Sequence, residues 1–242
     1  FLEGEEASYF LVVDNNSFKF FGTAQDHKRV KEKDKGLNTG GMGAYSPAPI
    51  INNLIEKKII NKIVKPTLLE LKNRRKPYSG FLYVGLMIKN NEPYLIEYNI
   101  RMGDPECQVT LPLIVSDVFQ MLFGAATDTL DPSAVDFDSS SALTVVLASE
   151  GYPARPIKGR IVHGLQEALN DQSYRQIWVN VAGVSKDDSG ALISSGGRVL
   201  SCTAMAGSLK NAQMSAYQLL NDLELEGSHF RTDIGFRAFS GE

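Results

Sequence analysis

Apolar positions open the chain in two short runs, residues 9–13 and 18–21, and Asp14-Asn15-Asn16 between them has the turn chemistry of a hairpin. Hydrophobic periodicity then stops. From residue 24 to 49 Gly, Asn, Lys and Asp dominate, which predicts one long loop, and loops of that length are usually functional. Helical spacing returns with Leu54, Ile55, Ile59, Ile60, Ile63 and Val64, behind Asn52 and Asn53 as alternative caps, and Pro66 should kink or end that helix. Aromatic and β-branched runs at residues 80–88 and 93–99, joined by Lys89-Asn90-Asn91-Glu92, predict a second hairpin. A further helix is expected over residues 116–126. The polar stretch that follows contains Pro132, Asp136, Asp138 and three consecutive serines and is the best linker candidate. Beyond it short strands alternate with turns, apart from a helix at residues 208–223 with the apolar stripe Leu209, Ala212, Ala216, Leu219, Leu220 and Leu223. The pattern predicts an α+β fold, an antiparallel sheet with helices followed by a small mostly β domain. Its expected boundaries are residues 1–128, a linker at 129–141, and 142–242.

Composition narrows the function. The 242 residues are 43% hydrophobic and 22% charged, ordinary for a chain with a substantial core. A net charge of -3 provides no broad cationic surface for nucleic acid or an anionic membrane, so neither is an expected partner and any phosphate recognition must be local. Cys107 and Cys202 are far apart and outside any C-x-x-C arrangement, which suggests neither a disulfide framework nor a cysteine zinc site and fits a reducing cytoplasm. No apolar run is long enough for a membrane helix, and no basic-then-apolar signal segment is visible. The opening Phe1-Leu2-Glu3-Gly4 reads as entry into the middle of a domain, so the sequence is expected to be a fragment.

Three segments could carry chemistry. In Leu95-Ile96-Glu97-Tyr98-Asn99-Ile100-Arg101-Met102-Gly103-Asp104-Pro105-Glu106, strand periodicity sends Glu97, Asn99 and Arg101 to one face. A carboxylate and an amide oxygen beside a guanidinium suit a magnesium-phosphate site; the alternative is an exposed polar face with a weak Glu/Arg pair. In Gln25-Asp26-His27-Lys28-Arg29 and Asn38-Thr39-Gly40-Gly41-Met42-Gly43, clustered glycines allow close backbone approach to an anion, and Lys28 and Arg29 can neutralise phosphate. A plain surface loop would have the same composition. The opening carboxylates Glu3, Glu5 and Glu6 could accept from ribose hydroxyls or be solvated turn residues. His27, His163 and His229 lack ligand spacing, and no serine lies in a nucleophile elbow.

Taken together these segments, with Gly151-Tyr152-Pro153 and Gly196-Gly197-Arg198-Val199-Leu200, resemble the phosphoribosylamine-glycine ligase family of ATP-grasp enzymes. The match runs in order over essentially the whole chain, and Asn-Thr-Gly-Gly-Met-Gly-Ala-Tyr-Ser-Pro-Ala-Pro and Gly-Asp-Pro-Glu are specific to that ligase. The resemblance implies one half of an ATP-grasp domain followed by a small β-rich domain, the missing amino-terminal half of the same enzyme being a further partner. It implies ATP and Mg2+, or Mn2+, as cofactors, and glycine and 5-phosphoribosylamine as substrates. On this basis Glu97 and Asn99 are the metal ligands, Leu2 contacts adenine through its backbone and Glu6 meets the ribose. Lys28 and Arg29 face phosphates; Arg101, Asp104 and Glu106, with the loop bearing Asn38, Gly40, Gly41 and Gly43, position the other substrates. No carboxylate stands at residues 84–86, where many ATP-grasp enzymes carry a further metal ligand, so water and phosphate would complete the shell. The alternatives are another ATP-grasp carboxylate-amine ligase and a non-catalytic nucleotide-binding module.

Overall fold

The computed structural model describes residues 2–131, 133–170 and 176–239. Its strands are β1 (Glu5–Val13), β2 (Phe18–Asp26), β3 (Arg29–Lys31), β4 (Lys35–Asn38), β5 (Gly43–Ser46), β6 (Gly80–Lys89) and β7 (Glu92–Asn99), then β8 (Ser141–Ala148), β9 (Val162–His163), β10 (Ile177–Val181), β11 (Val184–Lys186), β12 (Leu192–Ser194), β13 (Arg198–Ala206) and β14 (Glu224–Leu225). The helices are α1 (Asn53–Ile59), α2 (Lys65–Asn73), α3 (Cys107–Thr110), α4 (Val118–Thr127), α5 (Leu165–Asn170), α6 (Leu209–Asn221) and α7 (Phe236–Phe239). They form two compact units whose segments interleave along the chain. The first comprises Phe1–Gln25, Ser46–Gly103 and Thr110–Asp138; the second comprises Asp26–Tyr45, Asp104–Val109 and Ser139–Glu242.

The first unit holds antiparallel strands in the order β2-β1-β6-β7. From Ala7 to its end every residue of β1 is buried, which requires cover on both faces of the strand. Ala7, Tyr9, Leu11 and Val13 share a core with Ile55 and Ile59 of α1. Removing each isoleucine from water stabilises the unit by about 1.5–3 kcal/mol. On the opposite face Phe10 stacks on Tyr83, with ring centroids 5.1 Å apart. Asn52 caps α1, its side chain accepting from the Leu54 and Ile55 N–H groups. The helix does not end at Pro66. A wide π turn at Ile60–Val64 follows α1, and Pro66 falls in the first turn of α2, where no intrahelical N–H is needed. Asp14 fixes the β1–β2 turn by accepting from the N–H groups of Asn16, Ser17 and Leu130 at 2.9, 2.6 and 3.0 Å. Burial works to raise this carboxyl, but those donors hold it below the usual carboxylate range.

The second unit has strand order β10-β13-β8-β5, with three two-stranded ribbons, β3–β4, β11–β12 and β9–β14. Ser208 caps α6 at the Asn211 N–H, and the helix lays Ala212, Ala216 and Leu220 into a core that includes Val145, Leu147, Cys202 and Ala204. The single loop expected over residues 24–49 is corrected by this architecture, since β3, β4 and β5 lie within it. β3 and β4 are three and four residues long and mostly exposed, so they carry no hydrophobic alternation for a sequence reading to detect. Lys33 and Asp34 turn the ribbon with φ of 52° and 53°.

Candidate functional site

In the first unit the pairing Gly85↔Glu97 and Leu86↔Leu95 leaves Ile96 as an extra residue, a bulge that re-aims the end of β7. Tyr94, Leu95, Ile96 and Glu97 are all exposed. Asn99 Nδ2 donates to Glu97 Oε1 at 3.2 Å, so the structure brings the two proposed metal ligands together. Gly85 makes room for them: a Cβ there would lie 3.0 Å from Glu97 Cγ. These donors are hard oxygens of the kind Mg2+ selects, and two of them leave most of an octahedral shell to water and phosphate. Among the described residues no group of three or more His, Cys, Asp or Glu could hold a metal ion.

Arg101 does not join the pair through strand periodicity, because β7 ends at Asn99. It is exposed, and Nη1 donates to the Met102 carbonyl at 3.0 Å. Glu6 is half-buried on β1, and its carbonyl accepts from Gln25 Nε2 at 3.1 Å. Leu2 is exposed ahead of that strand.

In the second unit three segments distant in sequence converge on the glycine loop. Arg198 Nη1 donates to the carbonyls of Gly40 and Asp104 at 2.9 and 2.8 Å, while Nη2 reaches Asp104 Oδ2 at 2.9 Å. The Gly40 N–H donates to Tyr152 Oη at 2.9 Å. Gln108 Nε2 holds the other Asp104 oxygen at 2.9 Å. Gly41, at φ 115°, lies so close to Pro105 that a Cβ would come within 2.4 Å of its Cδ. A Cβ at Gly43 would come within 2.6 Å of the Thr144 carbonyl. The N–H groups of Thr39, Gly41 and Met42 go to the Lys28 carbonyl, Thr39 Oγ1 and the His27 carbonyl. Close packing, rather than a row of free N–H groups, is therefore what the structure shows these glycines doing. Asn38 ends β4 and is exposed. Lys28 is half-buried, whereas Arg29 is exposed with Nη1 on the Gly36 carbonyl at 2.8 Å.

Arg198 and Tyr152 are missing from the residues singled out by sequence, although the Gly-Gly-Arg and Gly-Tyr-Pro runs that hold them were legible. Glu106 is buried beside Cys107. Burial first, then the charges of Asp104 and Glu106, push the Cys107 thiol up to about 11, which leaves it protonated and unsuited to nucleophilic work at neutral pH. His27 is fully buried, and burial followed by repulsion from Arg237 and Arg231 lowers its pKa to about 3. It is a neutral imidazole whose Nε2 accepts from the Gly235 N–H at 3.2 Å.

Residues 1–107 match the family described as phosphoribosylglycinamide synthetase, ATP-grasp (A) domain, and residues 142–237 match the C domain of the same synthetase. The chain belongs to the phosphoribosylglycinamide synthetase family. All the site residues proposed from sequence lie inside the A-domain match, and Tyr152 and Arg198 lie inside the C-domain match of this synthetase family. Among curated relatives, phosphoribosylamine-glycine ligase of Chlorobaculum tepidum is 43% identical over 98% of this chain and 55% of its own length. That of Mycobacterium bovis is 44% identical over 100% and 56%. A crystal structure of the Thermotoga maritima phosphoribosylamine-glycine ligase aligns with a TM-score of 0.84 at 34% identity, over 97% of this chain and 56% of that one. The chain thus spans about half the length of the curated relatives it matches. No helix among the described residues is long and apolar enough to cross a membrane.

Proposed function

We propose that the protein containing this chain joins glycine to 5-phosphoribosylamine in an ATP-driven, two-step reaction of purine synthesis. The observation that carries this reading is the Glu97/Asn99 pair at the end of β7, within an ATP-grasp match and next in sequence to the Gly-Asp-Pro-Glu run. A glycine carboxylate oxygen attacks the γ-phosphorus of ATP, and the bond to the β-phosphate oxygen breaks as ADP leaves. The amine of phosphoribosylamine then attacks the carbonyl carbon of glycyl phosphate. Phosphate departs with the C–O electron pair, and the nitrogen loses a proton to become the amide.

The first step brings anion against anion, so charge neutralisation and alignment are the main demands. A divalent cation on Glu97 and Asn99, Mg2+ or alternatively Mn2+, would neutralise phosphate oxygens when bound. Lys28 and Arg29 would bind phosphate directly, Leu2 would offer its backbone to adenine and Glu6 would accept from the ribose. Arg101 and Asp104 would orient glycine and the amine, with Asp104 held in place by Arg198. Glu106 and the closely packed loop bearing Asn38, Gly40, Gly41 and Gly43 would shape the space around them. Water must be excluded while glycyl phosphate exists. The free thiols Cys107 and Cys202 suit a cytoplasmic setting, and the missing amino-terminal half would complete the nucleotide clamp.

Oxygen-18 supplied in the glycine carboxylate provides the test. In the natural-length protein one labelled oxygen should appear in each phosphate released. Unlabelled phosphate, or turnover that proceeds without glycine, overturns the proposal.

A further inference from the structure

Arg231 is the bulkiest of the fully buried side chains, at 1% exposure, and the reaction proposed above gives it no task. Four of its five N–H donors are engaged. Nε and Nη2 form a fork on Asp233 at 2.7 and 2.9 Å, while Nη1 spans Asp34 Oδ1 at 2.9 Å and the Arg29 carbonyl at 3.1 Å. Its own carbonyl accepts from Tyr217 Oη at 2.7 Å, which ties it to α6. Asp233 also accepts from the Lys33 N–H at 2.7 Å. Six residues along from Arg231, Arg237 bonds the Asp26 carbonyl at 3.0 Å and Asp34 Oδ2 at 2.5 Å. Between them Gly235 donates to His27. Apart from the Arg231–Asp233 fork, which is internal to the segment, each of these bonds joins residues 231–237 to residues 26–34 or to α6, within the second unit.

We infer that Arg231 is a positioning residue: with Arg237, Asp34 and Asp233 it latches the backbone that presents Lys28 and Arg29, so residues near the chain's far end set where that basic pair points. The inference rests on the reading that Lys28 and Arg29 meet phosphate. Its physical basis is that Arg29 is exposed while its carbonyl is fixed from beneath by a buried guanidinium. A fork that bonds two carboxylates and a carbonyl is rigid in a way that a lysine ammonium cannot reproduce. The same backbone supports the glycine loop, through the Lys28 carbonyl to Thr39 and the His27 carbonyl to Met42.

Two measurements test it. On the 242-residue chain, hydrogen exchange in Arg231→Lys should accelerate at least about tenfold over residues 26–43 while β10, β13 and α6 keep their protection. If Arg231→Lys does not fold, Asp34→Asn removes one leg of the latch and should show the same local pattern. Uniform acceleration, or none, overturns the latch. In the natural-length protein, Arg29→Met and Arg231→Lys should each lower kcat/KM for ATP at least about tenfold. The double variant should be no worse than the weaker single variant, because both changes act through one contact. Silence of Arg29→Met would sink the phosphate reading and this inference with it. A loss in Arg29→Met that multiplies with that of Arg231→Lys, or is absent from Arg231→Lys, overturns the positioning role alone.

Discussion

Gly85 faces Glu97 across the β6–β7 ladder, and its value lies in space rather than in an unusual backbone angle. A methyl group there would meet Glu97 Cγ at 3.0 Å and the Glu97 carbonyl at 3.4 Å. Gly85→Ala should therefore displace the carboxylate by a few tenths of an ångström and weaken metal activation about 10- to 100-fold, as loss of ligand support does elsewhere. The unit itself should remain folded. A Mg2+ titration of ADP release in the natural-length protein, beside a melting curve, separates the two effects, and an unchanged Mg2+ requirement would remove Glu97 from the metal site. His27 makes a second residue-scale claim, about pH. Its folded pKa of about 3 lies below the ordinary 6.5, so between those values the unfolded chain binds the extra proton. The stability this group contributes is complete above pH 6.5 and falls by about 1.4 kcal/mol per pH unit as pH drops toward 3. Urea denaturation from pH 7 to 4 should show a shallower acid loss in His27→Gln than in the unaltered chain; parallel curves would contradict the buried neutral imidazole.

At the scale of elements, Asn90 and Asn91 turn the β6–β7 hairpin with φ of 52° and 60°, a conformation that asparagine tolerates and β-branched residues do not. Asn91→Val should cost about 1–2 kcal/mol, lowering the melting temperature by about 2–8 °C, and Asn91→Gly should not. Calorimetry of the two variants checks this, and equal melting points would refute the turn assignment. The hairpin was legible in advance because both strands carry aromatic and branched residues around a recognisable turn. The same holds for α6, whose apolar stripe was plain. β3, β4 and β5 were not legible, being short and polar or glycine-containing. Pro66 was expected to kink or end its helix; the π turn that brings the proline into a first turn leaves no compositional mark and so could not be read. At the site, the Glu97/Asn99 pairing followed from period two, and Arg101 fell outside it once the strand ended. The role of Arg198 could not be read locally, since its bond to Asp104 spans 94 residues of chain.

For the whole molecule, β7 is the last strand in its sheet and leaves Tyr94, Leu95 and Ile96 at 43%, 39% and 43% exposure, followed by Ile100 at 75%. An apolar edge of this kind favours association, so the 242-residue chain should sediment as concentration-dependent oligomers, and Ile96→Lys should shift it toward monomer. A monomer at all concentrations would mean that the edge is covered or inert. The same chain should show no appreciable glycine-dependent phosphate release, because ATP-grasp chemistry requires the nucleotide held between two halves and this chain matches about half the length of its relatives. The central claim is that Glu97 holds the metal that makes phosphoryl transfer to glycine possible. Its most direct test is the turnover of Glu97→Gln in the natural-length protein at saturating Mg2+, ATP, glycine and phosphoribosylamine. The expected result is an intact fold with kcat reduced about 100-fold or more, a barrier raised by about 2.7 kcal/mol; a kcat within about threefold of the unaltered protein would contradict it.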